Sequence, residues 1–239
     1  MNKEEYLTIE KPSFLRRIGA YLIDIILVTL LATAISMVFI NNTNYQKRAG
    51  ELQELVSKVT SGEITREEYN KEYDTLNYYM TKDGVETTIV NCAVAIVYYV
   101  ILCYACKGIT LGKYLMKLRI VSANENELNI GNYLIRGLFV NLILSNLVSI
   151  IFVYTMNKDT FISIYPKVSG ALSIFMLVTM LFMMYRADGR GLHDLMSNTK
   201  VISTKEIKVK VREVEEAKVI EEKQIAGKTT KKKTKKEVK

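Results

Sequence analysis

Apolar and charged residues in this 239-residue chain are segregated into long blocks rather than interleaved at helical or strand spacing. The apolar blocks run from Ile18 to Ile40, from about Thr87 to Cys106, from about Asn132 to Met156 and from about Val168 to Tyr185. At about 1.5 Å per residue the first covers roughly 33 Å, enough to cross a bilayer. The pattern predicts an all-α integral membrane protein, a four-helix transmembrane bundle. Having only two prolines, Pro12 and Pro166, fits a helical chain with few tight turns. Arg16, Arg17 and the Ala32-Thr33-Ala34 run imitate a cleavable leader, but Asp24 inside the apolar stretch and its continuation past the alanines argue for an uncleaved span.

The connectors have their own texture. Between the first two blocks, Ala49, Leu52, Leu55, Val56 and Val59 recur at three- and four-residue steps. Ser61-Gly62 then breaks the run, and Thr65 with Glu68 three residues later predicts a capping box. A helical hairpin is expected in this insertion, residues 41–86. After the second block, Leu111, Leu115 and Leu118 fall opposite Lys113 and Lys117, as in an interfacial helix. Arg119-Ile120-Val121 follows as a short strand and Asn124-Glu125-Asn126 as a turn. GRGLHDLMSNTKVI, after the fourth block, repeats the order of short helix, then strand at 199–202; no other internal repeat is visible. An unpaired strand edge at a membrane surface is unfavourable, so Arg119–Val121 and Lys200–Ile202 are expected to pair.

Charge sets the orientation. Arg16 and Arg17 precede the first span; Lys107, Lys113, Lys117 and Arg119 separate the second from the third; Arg186 and Arg190 follow the fourth. The segment from Asn41 to Glu86 is poorer in basic than in acidic residues. The positive-inside rule therefore places both termini in the cytoplasm, with the protein expected in the plasma membrane. Three regions result: a cytoplasmic N-terminal segment 1–17, a membrane domain 18–204 that includes the outer hairpin 41–86, and a cytoplasmic tail 205–239. That tail ends in KTTKKKTKKEVK and is expected to be disordered at its end; near a bilayer each lysine is attracted to anionic lipid by about 1 kcal/mol. No aromatic residues interleave with these lysines, so no specific nucleic-acid site is indicated.

Few residues carry candidate chemistry. Asp24 lies about 9 Å into the first span. An aspartate at the middle of a membrane helix costs about 2.5–3.5 kcal/mol, so it must face a partner, water or a transported ion. Arg17 stands two turns earlier on the same face, and Arg136 enters the third span at a similar depth; an Asp24–Arg136 pair, with Asn141 and Asn146 extending a polar path, would hide both charges from lipid. His193-Asp194 lacks a nucleophile and a metal partner, and Asp194 is better read as a buried acceptor for a nearby arginine. Cys103 and Cys106 have C-x-x-C spacing, but the chain has a single histidine and no second cluster. With Cys92 they are expected to be small packing residues. No enzyme activity, cofactor or metal is expected.

RRIGAYLIDIILV, LGKYLMKLRIV, LIRG and RGLHDLMSNTKVI, in this order from Phe14 to Ser203, resemble the RDD family, whose naming arginine and two aspartates fall on Arg17, Asp24 and Asp194. Thr110, Lys113 and Arg119 also stand where members carry similar residues. The hairpin and the lysine-rich tail lie outside the resemblance. It implies a multi-pass membrane protein, and transport, including cation/proton antiport for some members. The resulting expectation is a small transporter of a monovalent cation or proton with Asp24 as carrier, its pKa set by Arg17, Arg136 and Asp194, in a homo-oligomer because four spans enclose little space. The alternative is a membrane scaffold or assembly factor. A cluster of Arg17, Asp24 and Asp194 with Arg119 or Arg136 is expected beneath the first span, supported by Lys113, His193 and Asn141.

Overall fold

The structure, a computed structural model, describes residues 12–124, 126–140 and 143–204. Helix α1 (Phe14–Phe39) opens it. Its buried stripe is Arg17, Ala20, Asp24, Val28, Ala32 and Ser36, at three- and four-residue steps. The large apolar residues turn outward instead: Leu30 is 63% exposed and Phe39 79%. Small and polar residues inside with leucines outside is the arrangement of a helix in lipid, where close packing rather than apolar burial joins helices.

Two antiparallel helices, α2 (Thr43–Ser61) and α3 (Arg66–Asp83), form the expected hairpin. Gly62 ends α2 in the left-handed region at φ 80°, and Thr65 and Glu68 cap α3 reciprocally. The Arg48 guanidinium holds Asp83 at 2.8 Å and lies 4.5 Å from the Tyr79 ring, which ties the two helices together. Tyr78 of the hairpin packs with Val85, Val153 and Phe161 against the bundle.

Helix α4 (Val85–Ala105) is α-helical except for a π-helical stretch, Val97–Leu102. The wider turn there leaves Tyr98, Tyr99 and Val100 all buried. The third apolar block differs from a straight span. It is two helices, α6 (Ile130–Val140) and α7 (Ile143–Thr155), bent by 72°. Helix α8 (Lys158–Tyr185) begins earlier than the apolar pattern suggested, because Asn157 caps it by accepting from the Thr160 amide at 2.9 Å. By length and composition three helices (α1, α4 and α8) can cross a membrane, or four if the bent pair is one span.

At the end of the bundle opposite the hairpin lie two matching units. Helix α5 (Leu111–Leu115) leads to strand β1 (Leu118–Ser122), and helix α9 (Leu192–Met196) to strand β2 (Thr199–Ser203). The expected interfacial helix is shorter than its leucine spacing implied, because Lys117 adopts φ 54° and turns the chain into β1. Asn198 does the same at φ 54° before β2, and positive-φ Gly108 and Gly189 precede the two helices. Every landmark of the first unit recurs at one constant spacing in the second. The strands pair antiparallel from Leu118↔Ser203 to Ser122↔Thr199, with Ile120↔Val201 at the centre. Those two central residues are equivalents in the repeat, so the layer has a local two-fold axis, and the recurrence read from the sequence extends to the backbone turns and the strand register. Leu118, Ile120 and Val201 join Ala20, Val100, Cys103 and Tyr133 in the core beneath it.

Candidate functional site

The sheet end of the bundle gathers the charged residues into two centres. Asp24, 1% exposed, forms the first. Its Oδ1 accepts from the Tyr98 hydroxyl at 2.6 Å and the Gly112 amide at 2.7 Å; its Oδ2 accepts from the Thr110 hydroxyl at 2.5 Å, with Lys113 Nζ at 3.6 Å. Three elements build this shell. The π-helical turn of α4 delivers Tyr98, whose hydroxyl also accepts from the Leu111 amide at 3.0 Å. Thr110 caps α5, and Gly112 lies so close to α1 that a β-carbon there would collide with the Ala20 carbonyl and the Asp24 carboxylate. Burial lowers the Lys113 pKa from the usual lysine value, so its ammonium releases a proton more readily than one in water.

Asp194, fully buried, forms the second centre. Arg136 donates to its Oδ1, as does the Thr199 hydroxyl at 3.2 Å; the Gly191 amide donates to Oδ2 at 3.1 Å, and Arg17 Nη1 stands 3.9 Å from that oxygen. Arg136 also donates to Thr199 Oγ1 at 2.9 Å. Arg17 is further held by the Gly189 carbonyl, and by the Val201 carbonyl at 3.2 Å, so the first helix is stitched to β2. His193 Nε2 lies 3.3 Å from Asp194 Oδ2. Its pKa is driven well below the usual histidine value, first by burial and then by Arg136, Arg17 and Lys113, which keeps the ring neutral.

Of the residues expected in one cluster, the structure brings Arg17 and Arg136 to Asp194 and sets Asp24 in a separate shell. Asp24 does not meet Arg136: the Thr110–Lys113 segment occupies the place beside it, and Arg136 is drawn to Asp194 instead. The groups around Asp24 are Tyr98, Thr110, Gly112 and Lys113, so Arg17, Arg136 and Asp194 are not the residues set around it. Arg119 lies apart from both centres and donates to the Lys107 carbonyl at 2.9 Å. Asn146 lines a polar cavity at the hairpin end rather than the charged centres. Asn141, the turn residue Glu125 and the whole lysine-rich tail with its anionic-lipid role lie outside the described residues. Cys92 and Cys103 are buried thiols, and Cys106 is exposed.

The two centres are related by the repeat. Lys113 and Asp194 are equivalent positions, each the third residue of its short helix; Lys113 pairs with Asp24 of α1, and Asp194 with Arg136 of α6. The signs are exchanged: Asp24 meets Lys113, and Arg136 meets Asp194. Sequence reasoning missed Tyr98, Gly112 and Thr199 as members. A glycine at the second position of a short amphipathic helix was the one local sign of a close approach.

A cavity of about 350 Å³ reaches both centres. Arg17 and Asp24 of α1, Lys113, Arg136 and His193 line its polar part, and Met176, Met180 and Met183 of α8 face them. Close by, Asp188 is bound by Arg186 at 2.9 Å and Arg190 at 2.8 Å, and these bonds, Arg186's foremost, hold its carboxyl far below the usual range.

A family model described as the RDD family matches residues 11–198, most of the chain. Comparison with curated proteins and with solved structures returns no match.

Proposed function

Because the chain belongs to the RDD family and its charged residues meet at one cavity, we propose that it is a small proton-coupled transporter with this cavity as its chamber. In this reading four spans, the bent pair counting as one, cross the plasma membrane, and the sheet end with both termini faces the cytoplasm. The basic residues support that orientation: Arg16, Arg17, Lys113, Lys117, Arg119 and Arg190 stand at the sheet end or in its connectors.

One observation carries the proposal: the cavity exposes a buried carboxylate and a partly buried ammonium, Asp24 and Lys113, 3.6 Å apart. Such a couple sets a proton acceptor and a proton donor side by side at the cavity wall. Asp24 is then the proton-handling group with Lys113 as its exchange partner. Both carboxylate oxygens are already engaged, so a bare sodium ion would have to displace Lys113 before binding there. Protons are thus favoured over monovalent metal cations as the coupling ion. The scaffold reading draws on the same saturation, since a carboxylate with several donors also locks helices together.

Purified protein in liposomes loaded with a pH-sensitive dye tests the proposal. Wild type should acidify or alkalinise the lumen when a gradient is imposed, and Asp24→Asn, checked for a monodisperse fold, should not. Absence of proton movement by a folded wild-type protein under both proton and sodium gradients would favour the scaffold.

A further inference from the structure

The cavity holds more positive than negative charge. Arg17, Lys113 and Arg136 line it against Asp24, and Asp194 behind them adds one further carboxylate, so the two centres sum to one excess positive charge with His193 neutral. Nearby Asp188 does not reverse this, because Arg186 and Arg190 both bind it.

Three polar atoms of lining residues are buried without a hydrogen-bond partner: Arg17 Nε, Thr179 Oγ1 and His193 Nδ1. A buried polar atom left unpaired costs about 1–3 kcal/mol, and three around one cavity indicate that something completes them. Their chemistry is specific. Arg17 Nε–H can only donate. With Nε2–H directed at Asp194, His193 Nδ1 can only accept. Thr179 can do either. A matching group needs anionic oxygen to receive from Arg17 and a hydroxyl to give to His193, and a singly charged phosphate monoester has both.

The opposite wall is apolar. Met176, Met180 and Met183 of α8 form it, and Leu177 and Met180 continue onto the helix's exposed outer surface, 58% and 38% accessible. In a bilayer that surface meets acyl chains, so a ligand's tail can lie along it while its head group enters between α1 and α8. Methionine side chains adapt to such chains readily.

We propose that the cavity is a binding site for a lipid phosphate monoester, with its head group among Arg17, Thr179 and His193 and its tail along α8. This rests on the chamber assignment above and names the class of molecule the chamber takes, but binding is measured without transport.

The test uses the full-length protein in detergent, native mass spectrometry and thermal stability, with four probes. These are dihexanoyl phosphatidic acid, dihexanoyl phosphatidylglycerol, dihexanoyl phosphatidylcholine and inorganic phosphate. Phosphatidic acid should bind saturably and raise the melting temperature, with the other three at least about tenfold weaker, the equivalent of one or more lost hydrogen bonds. Thr179→Val keeps the side-chain shape and should weaken phosphatidic acid about tenfold, while the unliganded protein, relieved of an unpaired buried hydroxyl, melts at or above wild type. Arg17→Gln should abolish binding if it folds. Equal binding of phosphatidylglycerol would assign the lipid to the lysine-rich tail or to general anion attraction. Equal binding of phosphatidylcholine would make it an annular lipid, and equal binding of phosphate would make the apolar wall irrelevant. Any of these, or an unchanged affinity in Thr179→Val, overturns the proposal. A protein that binds phosphatidic acid but moves no protons keeps this site and loses the transporter; one that moves protons without binding does the reverse.

Discussion

Replacing Gly112 with alanine tests the tightest contact of the site. The new β-carbon would meet the Asp24 Oδ1 at 2.8 Å and Cγ at 2.9 Å and would collide with the Ala20 carbonyl. Backbone and a buried carboxylate cannot swing aside as a flexible chain end can, so α5 must back away from α1. Overpacking of this kind costs about 1–3 kcal/mol. Stretching the 2.7 Å bond from the Gly112 amide to Asp24 removes a charge-assisted hydrogen bond, about 1.5–3 kcal/mol more. Alanine's better helix propensity returns about 1 kcal/mol, leaving a net loss of about 1.5–5 kcal/mol. Gly50→Ala and Gly170→Ala are the controls, since both glycines lie in helices with open space where a β-carbon would go. Thermal unfolding in detergent should show Gly112→Ala melting about 3–20 °C lower, at about 2–4 °C per kcal/mol, with both controls at or above wild type. A Gly112→Ala protein as stable as the controls would mean that α1 and α5 do not approach this closely and that the Asp24 shell is wrongly drawn.

Three further expectations follow from the same geometry. His193 is neutral when folded and has a pKa near 6.5 when unfolded. Stability should therefore fall as pH drops through about 6.5, where the unfolded chain gains a proton that the folded one refuses. The melting temperature of wild type should fall more steeply from pH 7 to 5 than that of His193→Gln, and parallel slopes would contradict the buried neutral ring. In a cysteine-free background, a membrane-impermeant thiol reagent applied to whole cells should label Ser57→Cys on the hairpin and spare Asn126→Cys near the sheet end, both at exposed positions; the opposite pattern would invert the proposed topology. Thr65→Ala removes one half of a capping box and should destabilise the hairpin by about 1 kcal/mol, seen as faster amide exchange at the start of α3.

What the sequence made legible was local. The hairpin could be read because a glycine break and a threonine–glutamate cap are written in neighbouring residues. The two strands could be read because β-branched runs follow short amphipathic helices, and their pairing followed from the cost of a bare edge. The partners of the charges were not local. Asp24 and Arg136 were matched on depth alone, and depth is one coordinate of three. The rotation of each helix about its axis depends on the π-helical turn in α4 and the 72° bend between α6 and α7. Neither has a proline or glycine at its centre to announce it. Tyr98 looked like one more large residue of an apolar block until that turn aimed its hydroxyl at Asp24.

The separation of the charges into two pairs is the claim on which the chamber and its ligand both rest, and double-mutant cycles test it most directly. Asp24→Asn, Lys113→Gln, Arg136→Gln and Asp194→Asn, singly and in pairs, are compared by thermal unfolding in detergent. Removing one member of a buried pair costs about 3–5 kcal/mol, so each single change should be plainly destabilising. Groups in contact couple by about 0.5–3 kcal/mol, whereas independent sites add to within about 0.5 kcal/mol. The structure predicts clear coupling for Asp24 with Lys113 and for Arg136 with Asp194, and near-additive losses for Asp24 with Arg136. Strong coupling of Asp24 with Arg136, together with additivity of Asp24 with Lys113, would contradict it.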